Sequence, residues 1–455
     1  MKKELLFKFG ILLTLFVVIV GCNESEQVIQ FTSATKAPLS ADSIAKLRLV
    51  FDDPEQCKSC HPIHFEQWAM SMHAYSFKDP VFHALHKIGQ ERSNNSLGQF
   101  CIECHSPFAT MFNEAPAGFD PKTVSSISAH GVSCVVCHSI DKVIPGQNVP
   151  TYHTNRVKYG TIEDPVPNSF HTSQYDKRFL TSEVCQPCHD FRNPRGVLVE
   201  KTYTEWENST YPRRNIPCQD CHMEVMTGPA AVNGKVRTLH EHHMVGVDVP
   251  FEDDFPGREK TIELVAFLLK YSIQMSLDIK NTVPKDQPFD FRVLVENSIT
   301  GHNIPSGSIF ERQMWVEVVA TDVQTNDTLF STGLLDPNKD LRNERSDFVK
   351  GGLFPLDTNL YLFNGTAQKH GMPTEFFWEA EAVQNSTIAP HGHVYCNYTI
   401  PANNLKNTKQ FNISVRTLFR AFPPYFLRKL GLSHLVPKLI VFPMEVDSRR
   451  VTIQQ

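Results

Sequence analysis

The hydrophobic and polar positions follow two patterns along the chain, and the change between them falls near residue 255. Beyond this point apolar residues alternate with polar ones, as in 271–279, 289–295, 394–400 and 411–415. Strict alternation is typical of β-strands with one buried face. About seven or eight such strands, with turns rich in Pro, Gly and Asn between them, predict a β-sandwich over residues 258–455. One helix, near 425–434, is expected to interrupt the strands.

The part of the chain before this change lacks sustained periodicity. Pro, Gly, Asn and Ser recur throughout residues 51–250, which predicts short helices joined by loops. One stretch, 63–86, brings Phe65, Trp68, Met72 and Tyr75 near helical spacing. The two halves together predict an α+β fold, with the linker at 252–257.

The first 21 residues resemble a bacterial lipoprotein signal. Residues 1–3 carry positive charge, residues 5–20 are mostly apolar, and the run ends just before Cys22. In this interpretation residues 1–21 are removed, Cys22 carries the lipid that anchors the chain to a membrane, and residues 22–50 form a linker. The alternative is an uncleaved membrane anchor, for which the apolar run is short. Either interpretation places the following residues outside the cytoplasm, facing the periplasm or at the cell surface.

Charge and composition narrow the classes of partner. The chain has 44 basic and 49 acidic residues, a formal net charge of -5. Nucleic-acid binding usually needs a basic face, so we expect no nucleic-acid partner. The share of hydrophobic residues, 41%, excludes disorder as the dominant state. The twelve cysteines and 20 histidines raise the question of a chain built around metal.

Five short motifs account for ten of the eleven cysteines after Cys22. Each reads Cys-x-x-Cys-His, the attachment sequence of haem c. One turn of helix with Cys at i and i+3 and His at i+4 brings two thiols to the vinyl positions of a haem and an imidazole to its iron. The motifs are Cys57/Cys60/His61, Cys101/Cys104/His105, Cys134/Cys137/His138, Cys185/Cys188/His189 and Cys218/Cys221/His222.

Structural zinc is the alternative for such motifs. It needs paired Cys-x-x-Cys units that give four ligands per ion, and it has no need of a His after every second Cys. An odd number of motifs, each ending in His, therefore favours five covalently bound haem c groups with the motif histidines as proximal iron ligands. Over residues 57–222 this is one haem per about 33 residues, so the haems must form much of the core of residues 51–250.

The segments around the motifs resemble multihaem cytochromes related to hydroxylamine oxidoreductase and its small tetrahaem electron acceptor. The resemblance begins with Cys-Lys-Ser-Cys-His-Pro at 57–62, Glu-Gln-Trp at 66–68 and Ser-Met-His at 71–73. It continues with Lys-Tyr-Gly at 158–160, Ser-Phe-His at 169–171, the last motif at 216–223 and His-Met-Val-Gly at 243–246. The corresponding histidines of those families are distal iron ligands, which implies His73, His171 and His243, with His240 and His242 as alternatives to His243.

Two further histidines are candidate ligands. The loop 296–307, with Gly-His at 301–302 and Pro-Ser-Gly at 305–307, resembles a loop in C-terminal domains of many multihaem cytochromes, where the His reaches back to an iron. The resemblance implies His302 as a ligand, and a plain hairpin residue is the alternative. His130, just before Cys134, is a candidate ligand of a neighbouring haem or a hydrogen-bonding residue. Cys396, in an alternating stretch, is expected to be a buried free thiol.

The motifs and the resemblance together indicate electron transfer. Closely packed haems form a path for single electrons. We therefore expect redox protein partners: a membrane or periplasmic donor, and a terminal reductase or extracellular acceptor. Ionised haem propionates would make the surface more acidic than the sequence alone and would favour a basic docking partner.

Two alternatives remain to an electron carrier in which every iron has two protein ligands. An iron with an open position would make the protein a multihaem oxidoreductase that acts on a small nitrogen or sulfur oxyanion. The motifs argue against such an enzyme. Pentahaem nitrite reductases resemble one another in a Cys-x-x-Cys-Lys motif, whereas every motif here ends in His. Eight-haem hydroxylamine oxidoreductases need three more motifs than this chain has. An adhesion or substrate-binding lipoprotein would leave every haem motif unexplained. No catalytic residue is assigned.

Overall fold

The computed structural model describes residues 39–454. The predicted signal sequence and the predicted lipidation site Cys22 lie outside these residues. Short helices and loops make up the first half of the described chain and strands dominate the second, so the α+β prediction is confirmed. Between residues 39 and 454, no helix has both the length and the apolarity needed to cross a bilayer.

Helices in the first half are short because prolines and capping side chains delimit them. Proline occupies the first turn of α2, α3, α5 and α7, and the carboxylates of Asp53 and Asp79 cap α2 and α5. These helices are α1 (Ala41–Arg48), α2 (Pro54–Cys57), α3 (Pro62–Ala69), α4 (Met72–Tyr75), α5 (Pro80–Arg92), α6 (Ile102–His105), α7 (Pro107–Met111), α8 (Ser126–Ala129), α9 (Cys134–His138), α10 (Thr202–Glu207) and α11 (Gln219–His222). Single 3-10 turns occur at Pro121–Thr123, Lys177–Leu180, Ser182–Cys185 and Pro212–Arg214.

Three small sheets, which the sequence pattern does not predict, join the loops of this half. An antiparallel pair joins β1 (Ile140–Lys142) to β2 (Thr151–Tyr152), and a parallel pair joins β3 (Val157–Gly160) to β4 (Thr172–Tyr175). The third is a hairpin of β5 (Val225–Pro229) and β6 (Val236–His240). These strands have two to five residues, too few for a clear alternation in the sequence.

The second half begins with a helix and continues as strands. Its elements are α12 (Arg258–Lys270), β7 (Gln274–Asp278), β8 (Thr282–Pro284), β9 (Phe289–Glu296), β10 (Gln313–Asp322), β11 (Thr328–Thr332), α13 (Asp347–Lys350), β12 (Leu362–Phe363), β13 (Gly365–Lys369), β14 (Met372–Thr374), β15 (Ala382–Asn385), β16 (His393–Ile400), α14 (Ala402–Leu405), β17 (Gln410–Arg420), α15 (Pro424–Lys429) and β18 (Phe442–Gln454), with 3-10 turns at Phe377–Glu379 and Ser433–Lys438.

Two sheets of this half pack face to face. One has the order β11-β10-β17-β18-β8 with β12 also paired to β10, and the other has the order β16-β9-β7. Val293 on β9, Val318 on β10, Cys396 on β16 and Ile413 on β17 are fully buried in one shared core. Alternate residues of both sheets thus fill the space between them, which is the predicted sandwich arrangement. A small third sheet has the order β14-β13-β15.

Helix α12 differs from the sequence expectation. The alternating reading began at Tyr271, but the structure ends α12 at Lys270, makes Tyr271 its C-cap and starts β7 at Gln274. Val265 and Leu269, four residues apart, are buried against the sandwich core. The buried residues of α12 thus follow helical spacing, and the alternation of a strand starts only after this helix.

The two halves pack against each other. Val81 and Leu85 of α5 share a buried cluster with Trp378, Phe422 and Leu427 of the second half. Phe422 and further residues of the second half also line the large cavity of the first half. The sandwich therefore supplies part of the wall around the motif-bearing region.

Candidate haem-binding site

One cavity of about 1590 Å³ collects all five motifs. Pockets for a single drug-sized ligand measure roughly 300–1,000 Å³, so this cavity exceeds the size that one small ligand needs. All ten motif cysteines and all five motif histidines line it. The motif residues, spread over more than 160 positions of sequence, therefore face one common space.

Each motif forms a single helical turn. The backbone N–H of the motif histidine donates to the carbonyl of the first cysteine in the motifs of His61, His105, His189 and His222, at 2.8–3.3 Å. In the remaining motif α9 spans both cysteines and the histidine. Both cysteines and the histidine of a motif consequently lie on one side of a turn, as covalent haem attachment requires.

Four of the motif histidines direct one ring nitrogen at a backbone carbonyl. A metal-binding histidine commonly uses its second ring nitrogen in this way, which fixes the tautomer and the orientation of the ring. Nδ1 being occupied, Nε2 is the atom left to bind iron. The Nδ1–O distances are 2.6 Å from His61 to Ala230, 2.9 Å from His105 to Ser76, 2.6 Å from His138 to Tyr159 and 2.5 Å from His222 to Val245.

His189 is the exception among the motif histidines. Its Nδ1 lies 3.3 Å from Oε1 of Glu200, whose side chain is only 12% exposed. Burial by itself would lower the pKa of His189, but the Glu200 carboxylate raises that pKa to about 9. The second partner of this imidazole is thus an anion rather than a neutral carbonyl.

Four motif histidines each face a second imidazole across the cavity. Two metal–nitrogen bonds of about 2.0 Å, plus the distance from each nitrogen to its ring centre, give a separation of about 6 Å for two imidazoles on one metal. The observed pairs match it. Ring centroids are 6.3 Å apart for His61 and His171, 6.3 Å for His73 and His189, 6.2 Å for His138 and His242, and 6.2 Å for His222 and His302.

These facing histidines have the protonation state that a metal needs. Burial, helped by the opposing motif histidine, lowers the pKa of His73 and of His302 to about 4. The same causes lower the pKa of His242 to about 3. A neutral imidazole is the form that binds iron, so these residues are ready to ligate at neutral pH.

His105 has no such partner. The ring beside it is the phenyl group of Phe82, stacked at 4.2 Å and 13° from parallel. Within residues 39–454, no histidine ring faces His105 at the separation of the other four pairs. The motif of His105 therefore differs from the others in what lies across from its imidazole.

The structure places the predicted distal residues unequally. His73, His171 and His302 each lie opposite a motif histidine, whereas His243 and His130 do not line the cavity. Nδ1 of His243 lies 2.9 Å from Oε2 of Glu241, and Nδ1 of His130 lies 3.6 Å from Oδ1 of Asp53.

His242, which the resemblance implies only as an alternative to His243, lies opposite His138. Strand β6 ends at His240 and the backbone then turns, so the ring of His242 points into the cavity and that of His243 points away. Glu200 was missed altogether, because no motif spacing marks a carboxylate eleven residues after His189.

Hydrogen bonds from the first half hold His302 in place. Oε2 of Glu205, on α10, accepts from Ser306 Oγ at 2.6 Å and from the backbone N–H of Asn303 at 3.2 Å. Within the loop, Nδ2 of Asn297 donates to the carbonyl of His302 at 2.8 Å. These bonds keep the loop of the β half against the cavity.

The cysteines of different motifs approach one another. None of the eleven cysteines in residues 39–454 forms a disulfide. Within the same part of the chain, no three His, Cys, Asp or Glu side chains gather as a conventional metal cluster would require. Side-chain contacts join Cys57 to Cys134, Cys104 to Cys188 and Cys185 to Cys218.

Comparisons with known proteins bear on part of the chain. No curated protein matches it. Among solved structures it matches AggA, the major subunit of aggregative adherence fimbriae type I from Escherichia coli, over 40% of this chain and 94% of that one. The identity is 7% and the TM-score 0.18, too low to carry an argument about fold or function. Residues 56–139, which contain the motifs of His61, His105 and His138, match the family described as cytochrome c554 and c-prime. This segment is therefore that of a c-type cytochrome.

Proposed function

We propose that the chain is an exported electron-transfer protein that carries five covalently bound haem c groups. Electron transfer by a c-type cytochrome is supported by the family match at residues 56–139. Five haems, rather than the three motifs inside that match, are supported by the common cavity, which all ten motif cysteines line.

The observation that carries this proposal is the set of four facing imidazole pairs. Four irons would be held by the pairs His61 and His171, His189 and His73, His138 and His242, and His222 and His302. When bound, the haems supply reversible one-electron chemistry between Fe(III) and Fe(II). The protein contributes paired imidazoles at fixed separations, cysteines for attachment and the common cavity that they line.

The cysteine contacts indicate which motifs are neighbours. Cysteines of different motifs contact each other in the motif pairs of His61 with His138, His105 with His189 and His189 with His222, and haems held there would lie close enough to exchange electrons. Tyr152 lies near Cys104, Cys137 and Cys188 and so connects the first pair to the others. The five sites thus form one continuous set.

Both ends of this set include exposed residues. Cys221 is exposed, and His171 is half-buried beside the exposed Phe170. We propose that redox protein partners dock at these ends and that Cys22 anchors the chain to a membrane, facing the periplasm or at the cell surface. Acidic haem propionates would favour a basic partner.

The test is a haem count combined with electron paramagnetic resonance on the purified, oxidised protein. We expect five haems per chain by alkaline pyridine absorbance and intact mass, with four low-spin signals from paired imidazoles. A matched variant, Cys185→Ala with Cys188→Ala, should lose one haem and one low-spin signal. Fewer than five haems in the wild type, or motif cysteines that titrate as free thiols after unfolding, would contradict the proposal.

A second candidate function rests on His105. Because no histidine of residues 39–454 faces it, its iron is the one site where a small molecule could bind. This favours a multihaem oxidoreductase acting on a nitrogen or sulfur oxyanion over an adhesion or substrate-binding lipoprotein. Nitrite, hydroxylamine and cyanide should each shift a single high-spin signal. Five low-spin signals that none of these ligands alters would exclude this candidate and leave electron transfer in place.

A further inference from the structure

The acceptor for Nδ1 differs between His189 and the other motif histidines. His61, His105, His138 and His222 each meet a neutral backbone carbonyl, whereas His189 meets the Glu200 carboxylate. A carbonyl only orients the imidazole. An anionic acceptor also draws the Nδ1 proton towards itself and makes Nε2 a stronger electron donor.

Glu200 is held where its charge acts. It lines the cavity, and its ion-pair partner in the structure is His189 itself. Its backbone N–H donates to the carbonyl of Phe191 at 3.4 Å, in the segment that follows His189. Gly307 approaches it from the β half, where a Cβ atom would lie 3.9 Å from Oε1. The Glu200 side chain is only 12% exposed, so water screens its charge less than it screens a fully exposed carboxylate.

The motif of His189 is also the branching point of the set. Its cysteines contact those of the His105 motif on one side and those of the His222 motif on the other. The Glu200 carboxylate interacts electrostatically with both His189 and His105. One anion is therefore positioned to act on the site that electrons must cross between its two neighbours.

We propose that Glu200 is a positioning residue that lowers the reduction potential of the haem bound by His189. This inference rests on the proposed function. A negative charge hydrogen-bonded to the proximal imidazole stabilises Fe(III) over Fe(II), because the oxidised site carries one more positive charge. A lower potential at this haem would favour residence of the electron on the haems to either side.

The decisive variant is Glu200→Gln, which keeps a hydrogen-bond acceptor and removes the charge. We expect the equilibrium constant for reducing the His189 haem to rise at least tenfold, a shift of about 59 mV upward for one electron. Potentials are followed by paramagnetic resonance during a redox titration, and the signal is assigned by its loss in His73→Ala. Glu200→Asp, which restores the charge, should return the potential most of the way.

The control is Glu207→Gln, which removes the same charge from an exposed position at the end of α10. It should leave all five potentials unchanged. An unshifted potential in Glu200→Gln, or an equal shift in Glu207→Gln, would overturn the inference. Both outcomes leave the proposed function standing, because that function fails only if the wild type lacks five haems.

A measurement on the wild type covers the case in which Glu200→Gln does not assemble. Infrared difference spectra between the oxidised and reduced protein should show a carboxylate band that changes when the lowest-potential haem is reduced. If no carboxylate band changes in that step, Glu200 does not act on the haem and the inference falls.

Discussion

The imidazole rings of His138 and His242 lie 6.2 Å apart and within 18° of parallel. The adjacent His243 turns away to Glu241. We predict that His242→Ala opens the sixth position of the His138 haem, while His243→Ala leaves it closed. Paramagnetic resonance should show one low-spin signal replaced by a high-spin signal in the first variant only. The opposite result, with His243→Ala producing the high-spin signal, would reassign the ligand.

The thiol of Cys396 provides an independent count of haem attachment. Cys396 is fully buried in the sandwich core, and burial raises its pKa to about 12. We predict that a thiol reagent finds no reactive cysteine in the folded chain after residue 22 and one after unfolding, because the ten motif cysteines would form thioether bonds. A Cys396→Ala variant should then show none. Any further thiol after unfolding would reveal a motif without haem.

The carboxylate of Glu205 links α10 to the loop of His302. Replacement by Ala leaves Ser306 and the Asn303 N–H without their shared acceptor, a loss of about 1–3 kcal/mol for buried groups. We predict that Glu205→Ala lets His302 leave its site part of the time. Cyanide, which needs an open iron, should bind the His222 haem faster than in wild type. Glu207→Ala, on the same helix but exposed, is the matched control and should bind cyanide at the wild-type rate.

Glu379 makes the contact between the halves dependent on pH. Its Oε1 accepts from Arg92 Nε at 2.6 Å, and its Oε2 accepts from Lys369 Nζ at 3.0 Å. Burial raises its pKa, but the two cations outweigh burial and hold it below the usual value. Because the pKa is depressed on folding, the stabilisation is present at neutral pH and is lost as the pH falls through the folded pKa.

We therefore predict that Glu379→Gln lowers the free energy of unfolding by about 1–3 kcal/mol at pH 7. The difference from wild type should disappear at an acidic pH below the depressed folded pKa of Glu379, where the wild-type carboxyl is protonated as well. Urea unfolding at both pH values measures it. Glu381→Gln, at a more exposed ion pair with Arg195, should have a smaller effect at pH 7. An equal loss at both pH values would show that charge is not responsible.

The haem-attachment motifs and the strands could be predicted from the sequence, whereas the positions of the residues that face the motif histidines could be predicted only in part. The Cys-x-x-Cys-His spacing specifies attachment within five residues, and alternation specifies a strand such as β9 within eight, so both are local signals. The residue that faces His138 cannot be predicted from the local sequence. It depends on where β6 ends and on how the backbone turns between His240 and His242, and only tertiary packing decides that.

The same limit explains the other differences. Helix α12 follows an acidic, Gly-containing stretch that was read as a linker, although the spacing of Val265 and Leu269 was available as a signal. The partners of Nδ1 could not have been predicted, because a backbone carbonyl carries no side-chain identity. The motif of His105 has the same sequence pattern as the other four. Which side chain lies beside its imidazole depends on the folded chain and not on the motif.

The acceptor of His61 lies 169 residues further along the chain, at Ala230. The facing His171 also follows its motif by more than a hundred residues. During synthesis from the N-terminus, the first motif thus emerges long before the segments that orient and face its histidine. The site begun first is therefore completed only after most of the first half has been synthesised. A truncation anywhere before residue 230 would therefore leave the first site unfinished, even though its motif is intact.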